Sequence, residues 1–418
     1  MSPTTDDRPR RLPFVVLVLS VGTFLMGTTE FVIAGLLPEI AHDLGVSVPH
    51  AGLLITVFAA GMVVGTPVMA IATLRLPRRS TLILALVVFA LGHLVAALSS
   101  SFALVLAARV VTALATGTFW CVGAVVATRA AGPGATSRAL GMLLGGLTVA
   151  TVAGVPLGAW LGQLSGWRGP FWVLAALSAG AAAIIGRFIP VDERSEAPSV
   201  RAEFAALRQG RIWLTLSAMT LLMGGVLATY SYVSPLLTER AGIPTAAVPV
   251  VLTGYGLGAL LGTTGGGRLG DRRPLATLFA AAATTTLVLL SLTVLSTSPV
   301  AAVVLVTLMG VTGFAATPVL GALALRFAVS APTLASALGG SAPNVGIAVG
   351  SWVAGLALTS PLRQAGPPLV GTVAAALTLV PLTALALMRA TRSETPPPQR
   401  GSAAHQAVGA GTGTPDIG

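Results

Sequence analysis

Residues 14–38 read FVVLVLSVGTFLMGTTEFVIAGLLP, an apolar run with one carboxylate, Glu30, inside it. A helix of this length can cross the roughly 30 Å hydrocarbon core of a bilayer. A charge at bilayer depth costs at least ~2.5 kcal/mol, and such residues commonly mark ion or substrate pathways. The other acidic residues fall in tails, loops or the ends of apolar runs. Glu30 is therefore the first candidate for a functional residue, because an acid held in a membrane can carry a proton.

The rest of the chain repeats this apolar pattern. Of its 418 residues 54% are hydrophobic and 9% are charged, far from the roughly one quarter charged in soluble domains, and the mean hydropathy is +0.89. Runs long enough to span a membrane lie near 14–38, 49–74, 80–99, 102–128, 138–163, 169–190, 212–237, 247–267, 275–296, 299–325, 335–358 and 367–388. They lack the short alternating segments of a membrane β-barrel. The predicted fold is all-α, with twelve transmembrane helices.

The placement of arginine predicts the orientation of these helices. All 24 basic residues are arginine, and positive residues accumulate in cytoplasmic loops. With the N-terminus in the cytoplasm, the extracellular loops receive only Arg168, Arg240 and Arg363, while Arg109 lies within a span. Both termini are thus predicted to be cytoplasmic in a plasma membrane. Orientation and contact with anionic lipids account for the net charge of +11, so no nucleic-acid partner is needed.

The chain divides into two six-helix halves. The longest charged interruption gives a first half at 1–190, a cytoplasmic linker at 191–211, a second half at 212–389 and a tail at 390–418 that is predicted to be disordered because it is rich in Pro, Gly and Ala. Two sets of residues recur at nearly one offset: Gly61, Gly65, Arg75, Leu76 and Arg79 reappear as Gly254, Gly258, Arg268, Leu269 and Arg272, and Gly154, Gly158 and Trp160 as Gly346, Gly350 and Trp352. This recurrence predicts a parallel pseudo-repeat, as in duplicated transporters.

Motifs for chemistry on a bound cofactor are missing from the sequence. The four histidines show no metal-ligand spacing, no Gly-rich phosphate loop of the Walker type occurs, and Cys121 is the single cysteine. We therefore expect that the protein is not an enzyme and that it binds no metal and no cofactor. A transporter of this composition would be driven by an ion gradient, and the proton is the ion that a lone carboxylate suits.

A loop signature follows the eighth span. Residues 267–273 read GRLGDRR, and the spacing G-x-L-x-D-R between the second and third helices of a six-helix half resembles that of the major facilitator superfamily. In that family the loop acid latches the inward gate, which implies gating roles for Asp271 and Arg272. The alternative is an ordinary positive loop. In the N-terminal copy Arg78 replaces the acid, which favours that alternative there.

The fifth span contains a glycine stripe. Gly154, Gly158 and Gly162 recur every four residues around Pro156, so another helix can approach closely and the chain can bend at the proline. The stripe resembles the antiporter motif of drug/proton antiporters, which implies gating roles for Gly154, Pro156 and Gly158. Helix packing without antiport is the alternative.

The fourth span carries Arg109. Its position matches the buried arginine that the superfamily places beside the central cavity, which implies a part in proton coupling with Glu30. Thr112, Thr116 and Trp120 share roughly one helical face with it and are candidate cavity residues. The alternative is that Arg109 lies near the outer interface and extends toward water.

The segments GTTEFVIAGLLPEI at 27–40 and WRGPFW at 167–172 resemble the DHA1 drug/proton antiporter branch, and 72–79, 112–117 and 167–172 are most similar to actinobacterial chloramphenicol-resistance exporters. The resemblance implies monomeric, proton-coupled export of a small drug. Tyr230, Tyr255 and Asn344 are further candidate cavity residues, since aromatic and hydrogen-bonding groups suit a neutral amphiphile. Tyrosines can also anchor at membrane interfaces, which is the stronger alternative for Tyr232. A sugar exporter of the same branch and a membrane sensor on a transporter scaffold remain alternative functions, and Glu30 could instead only hold its helix in register.

Overall fold

The computed structural model describes residues 13–73, 76–132, 135–189, 210–327 and 332–393. Within these residues no strand occurs, and twelve helical segments are long and apolar enough to cross a membrane. They are α1 (Phe14–Asp43), α2 (Val48–Ala72), α3 (Arg78–Leu98), α4 (Phe102–Ala131), α5 (Thr136–Val149, Ala150–Gly154 and Val155–Ser165), α6 (Arg168–Phe188), α7 (Gly210–Ser231), α8 (Val248–Arg272), α9 (Pro274–Leu295), α10 (Pro299–Ala315 and Thr317–Phe327), α11 (Pro332–Thr359) and α12 (Gly366–Leu377 and Leu379–Ser393). The predicted all-α fold with twelve spans is confirmed.

The helix ends differ from the predicted ones by a few residues. Helix α7 begins at Gly210, within the predicted linker, and α12 continues to Ser393, so 390–393 are helical and the prediction of disorder there is wrong. Apolar side chains continue in α12 up to Met388, and helix formation extends through the polar turn that follows. Most of the predicted linker, most of the predicted tail and the repeat residue Arg75 lie outside the described residues.

Three of the helices are interrupted shortly before a proline. In α5 a π-helical turn ends at Gly154, two residues before Pro156. The two segments of α10 meet at Ala316, before Pro318, and those of α12 meet at Thr378, before Pro381. Proline lacks the backbone N–H that would continue the ladder, and its ring crowds the preceding turn. The bend predicted at Pro156 is therefore present as a change of helical pitch.

The repeat glycines of the first half bring α5 onto α1. A Cβ at Gly154 would collide with Thr28 Oγ1, and one at Gly158 would lie 2.6 Å from Val32 Cγ2. The hydroxyl of Thr23 on α1 donates to the carbonyl of Leu143 on α5 over 2.7 Å. The glycine stripe is thus the surface on which α1 packs.

The second half repeats this arrangement between α11 and α7. A Cβ at Gly346 or Gly350 would collide with the backbone of Thr220 or Gly224. The hydroxyl of Thr220 donates to the carbonyl of Ala342 over 2.9 Å, as Thr23 does to Leu143. The same contacts at equivalent positions confirm the pseudo-repeat that the sequence predicts.

On the predicted extracellular side, called outer below, the two halves are in contact. Thr56 of α2 and Ser351 of α11 share a hydrogen bond of 2.8 Å, and Gln163 donates to the carbonyl of Thr245 over 2.7 Å. The ring of Tyr232, just after α7, packs against Gly52 and Gly355 and donates to the Ser351 carbonyl over 3.2 Å. These contacts form the outer seal. Tyr232 is 2% exposed, so the interpretation of this residue as an interface anchor is wrong.

Candidate transport site

A cavity lies between the two halves beneath the outer seal. It is lined by Glu30, Phe31 and Ala34 of α1, Ile55, Phe58 and Ala59 of α2, Leu227, Tyr230 and Ser231 of α7, and Asn344 and Ile347 of α11. Its volume is about 10 Å³, which is room for about one water molecule. A drug-sized molecule can therefore enter only after the helices of the two halves separate.

Glu30 reaches this cavity from the middle of α1. Its side chain is half-buried, and within the described residues its carboxylate makes no hydrogen bond or ion pair. Helix α1 also contains Glu39, one turn before Asp43, and one Glu39 carboxylate oxygen is buried without a partner there. Glu39 does not line the cavity. The structure thus gives the cavity a single carboxylate that is free to exchange a proton or bind a substrate.

Arg109 is buried between α1, α2 and α4, with 1% of its surface exposed. Its Nη1 donates to the carbonyl and the hydroxyl of Thr29 over 3.2 and 3.1 Å, and Nε donates to the Leu54 carbonyl over 3.3 Å. The guanidinium lies 4.0 Å from the Phe58 ring centroid, a cation–π contact. The alternative in which Arg109 extends toward the outer interface is wrong, because all of these partners are internal.

Tyr230 and Asn344 present unpaired polar atoms at the cavity. The Tyr230 hydroxyl and Asn344 Oδ1 are buried and lack hydrogen-bond partners within the described residues. Tyr255 does not line the cavity but stacks on Tyr230, with ring centroids 4.5 Å apart, and its hydroxyl is also buried without a partner. Buried polar atoms are normally paired. The Tyr230 and Asn344 atoms are therefore places where a molecule bound in the cavity would supply the missing hydrogen bonds.

Three predicted cavity residues lie elsewhere in this structure. Thr112 donates to the Arg109 carbonyl, and its methyl group packs against α3 at Gly92. Thr116 donates to the Thr112 carbonyl and to Met26 of α1. Trp120 packs behind Phe58 in a small apolar cluster. Sharing a helical face with Arg109 places these residues against α1 to α3, since Arg109 itself points into that interface rather than into the cavity between the halves.

The predicted gate residues Asp271 and Arg272 form the last turn of α8 rather than a loop. Asp271 is exposed and lines a second cavity of about 100 Å³ with Pro274, Pro318 and Arg326. It has no ion pair within the part of the chain that the structure describes. The latch role of Asp271 stays a prediction, and in this conformation its carboxylate is free to accept a partner.

The predicted gate residues on α5 contact both halves. Gly154 and Gly158 face α1, while the π-helical turn that precedes Pro156 packs against α8, where a Cβ at Gly256 would lie 2.5 Å from the Thr151 carbonyl oxygen. The irregular backbone of α5 thus lies between α1, which carries Glu30, and the second half. Sequence reasoning missed Gly256, whose signal was its place between Gly254 and Gly258.

Sequence reasoning also missed His93 of α3. Its ring is 1% exposed, with Nε2 2.7 Å from Thr29 Oγ1 and Nδ1 2.8 Å from the Phe89 carbonyl. The spacing of the four histidines speaks only against a metal site and says nothing about a single buried ring. The available signal was a histidine in the middle of an apolar span, where ionisable residues usually face the interior of the helix bundle.

Comparison with known proteins agrees with this architecture. Residues 19–351 match the family model described as Major Facilitator Superfamily. This chain belongs to the Major Facilitator Superfamily. The superfamily assignment makes the protein a multi-pass membrane transporter.

Relatives of this superfamily member cover most of its length. It is 38% identical over 360 residues to a chloramphenicol resistance protein of Streptomyces lividans, an alignment that covers 85% of this chain and 92% of the relative. It is 29% identical over 368 residues to a probable sugar efflux transporter of Mannheimia succiniciproducens, covering 88% and 92%. Among solved structures, the bacterial homologue of the human lysosomal transporter Spinster, inward-facing and occupied, matches with a TM-score of 0.72 over 90% of this chain and 97% of that one. At 16% identity this last match concerns the fold alone.

Proposed function

We propose that this transporter exports a small, neutral, amphiphilic drug in exchange for protons and that chloramphenicol is its substrate. The observation that carries the proposal is the cavity between the halves, which is lined by one carboxylate residue, Glu30, together with Tyr230 and Asn344, whose hydroxyl and amide oxygen lack partners within the described residues. Similarity to a chloramphenicol resistance protein supports the choice of substrate. Export of such a drug would confer antibiotic resistance.

The lining favours a neutral substrate over a cation. Drug cations need an anionic partner, and the one carboxylate that lines the cavity is required for the proton. Phe31, Phe58 and Tyr230 offer aromatic surface, while Tyr230 and Asn344 offer one donor and one acceptor. An aromatic ring with a few hydrogen-bonding groups satisfies both features.

Coupling requires that Glu30 is alternately protonated and ionised on the two sides of the membrane. Arg109 supports the ionised form with its nearby positive charge, although no ion pair joins the two residues in this structure. We further propose a monomer in the plasma membrane with both termini in the cytoplasm. The cycle needs no cofactor, since the proton gradient supplies the energy.

The deciding experiment is accumulation of radiolabelled chloramphenicol in energised cells. Cells that express the protein should accumulate less drug than cells that do not, and a protonophore should abolish the difference. Glu30→Gln keeps the size and polarity of the side chain but cannot ionise, so it should reach the membrane and lose uphill export. Undiminished export by Glu30→Gln at neutral pH would remove Glu30 from the coupling mechanism.

A sugar or sugar derivative is the second candidate substrate, favoured by the similarity to a probable sugar efflux transporter. The same cells loaded with labelled arabinose or lactose would separate the two substrates. If the cells export neither compound but change their gene expression when chloramphenicol or the sugar is added, a sensor function is favoured.

A further inference from the structure

Thr29 uses its hydroxyl differently from its neighbours. The adjacent Thr28 donates to the carbonyl one turn back, Phe24, over 2.8 Å, as threonines commonly do within helices. Thr29 Oγ1 instead contacts His93 Nε2 at 2.7 Å and accepts from Arg109 Nη1 at 3.1 Å. The hydroxyl next to Glu30 in sequence therefore links α1 to both α3 and α4.

The partners of His93 determine which nitrogen carries its proton. Nδ1 lies 2.8 Å from the Phe89 carbonyl, which can only accept, so Nδ1 is the donor. In the neutral ring Nε2 is then an acceptor, and the Thr29 hydroxyl donates to it. This leaves the lone pairs of Thr29 Oγ1 for Arg109. A charged ring would instead direct a second cationic donor at the oxygen that Arg109 already uses.

The ring of His93 is also held in place sterically. Phe89 and Phe171 flank it, with ring centroids 4.2 and 5.6 Å from that of His93. A hydrogen bond at one imidazole nitrogen determines whether the other nitrogen is a donor or an acceptor. A ring that packs against two aromatic rings and is hydrogen-bonded at both nitrogens can hold the Thr29 hydroxyl in one orientation.

We propose that His93 is a positioning residue of the coupling site, which acts through Thr29 to hold Arg109 beside Glu30. The inference rests on the proposed function, because it takes Glu30 and Arg109 as the coupling pair. Arg109 is bound here by neutral acceptors, the Thr29 and Leu54 carbonyls and the Thr29 hydroxyl. Its position therefore does not depend on whether Glu30 is charged, and Nη2 is the guanidinium nitrogen that remains without a partner.

Two pairs of variants test the role of His93 and Thr29. His93→Gln places an amide oxygen near the former Nε2 and can still accept from Thr29, whereas His93→Asn reaches only the Nδ1 position. Thr29→Ser keeps the hydroxyl and Thr29→Val removes it without a change in size. Proton-driven export should fall roughly tenfold or more in Thr29→Val, because a hydrogen bond to the charged Arg109 is lost. It should fall by roughly fivefold in His93→Asn, because the Thr29 hydroxyl loses its neutral acceptor. Export should be largely retained in His93→Gln and Thr29→Ser.

Thr28→Val is the matched control. It removes a hydroxyl one residue away whose hydrogen bond lies within α1, and it keeps the size of the side chain that packs at Gly154, so export should stay within about twofold of the parent. Binding of labelled chloramphenicol to detergent-purified protein should stay within about twofold in all variants, which separates lost coupling from misfolding. Equal export by His93→Gln and His93→Asn, or full export by Thr29→Val, would overturn the proposal.

A nitrogen NMR measurement decides the question even if the protein does not transport chloramphenicol. With His42, His50 and His405 replaced by glutamine and His93 labelled with ¹⁵N, the spectrum at neutral pH should show a protonated Nδ1 and an unprotonated Nε2. Thr29→Val should shift the Nε2 signal and Thr28→Val should not. A protonated Nε2, or a signal that ignores Thr29→Val, refutes the inference, whereas absent export with the expected spectrum refutes only the proposed function.

Discussion

The membrane potential should drive export as well as the pH gradient. In the described cavity Glu30 is the one carboxylate, so we expect one proton to enter for each neutral molecule that leaves. Each cycle then moves one positive charge inward, and a potential of 100 mV contributes ~2.3 kcal/mol. Since ~1.4 kcal/mol corresponds to a factor of ten, this potential can sustain a drug gradient of roughly 50-fold, whereas one pH unit sustains about tenfold.

Proteoliposomes loaded with labelled chloramphenicol provide the assay. With equal pH on both sides, a potassium diffusion gradient and valinomycin make the lumen negative, and a pH-sensitive dye in the lumen records proton entry. Both orientations of the protein in the vesicle give the same net direction, because an antiporter moves the proton inward and the drug outward whichever face is inside. Drug efflux and lumenal acidification should start together when valinomycin is added.

Glu30→Gln is the control for this measurement, since it should bind drug but show neither flux in response to voltage. A parent protein that responds to a pH gradient and ignores voltage would contradict the reasoning, because either the substrate is a cation or the stoichiometry is not one proton. If chloramphenicol is not transported under any gradient, a sugar becomes the favoured substrate.

Three further perturbations test the gates and the glycine stripe. Asp271→Asn should shift the protein toward the inward-open state if Asp271 latches that gate, and an unchanged distribution of spin-label distances between the inner ends of α2 and α10 would leave Asp271 with no gating role. Thr56→Val removes the 2.8 Å hydrogen bond to Ser351 at a net cost of about 1 kcal/mol. The outward-open population should therefore become roughly fivefold larger, as measured by distances between spin labels on the outer ends of α2 and α11. An unchanged population would mean that this bond does not hold the seal. Gly158→Ala places a methyl group 2.6 Å from α1 and should cost about 1–3 kcal/mol of stability and reduce export, whereas Gly145→Ala on the open face of α5 should do neither; equal thermal stability of the two variants would refute close α1–α5 packing.

The sequence predicted the number and type of helices because each apolar run must span the bilayer as a helix, whatever its neighbours are. It also predicted that another helix can approach the glycine stripe closely, since small residues at four-residue spacing allow such an approach. Of the predicted cavity residues, Tyr230 and Asn344 line the same cavity as Glu30, and the roles of all three stay predictions. Each of these features follows from local pattern and from the pairing of equivalent spans.

The sequence could not predict which neighbouring helices a buried side chain contacts. Thr112 and Thr116 share a helical face with Arg109, and in the structure that face packs against α1 and α3 instead of lining the cavity. The roles of Thr29 and His93 depend on the relative rotation of α1, α3 and α4. One sequence carries no record of that rotation, because many rotations bury the same apolar surface.

The described contacts of the outer seal, Thr56 with Ser351, Tyr232 with the Ser351 carbonyl and Gln163 with the Thr245 carbonyl, are all between uncharged groups. Salt screens charged contacts and leaves neutral ones almost unchanged, and none of these groups titrates near neutral pH. The barrier against leakage from outside should therefore stay the same in fresh water, in brine and in acid surroundings. The proposed proton-coupled exporter would then stay closed to outside protons in all three surroundings.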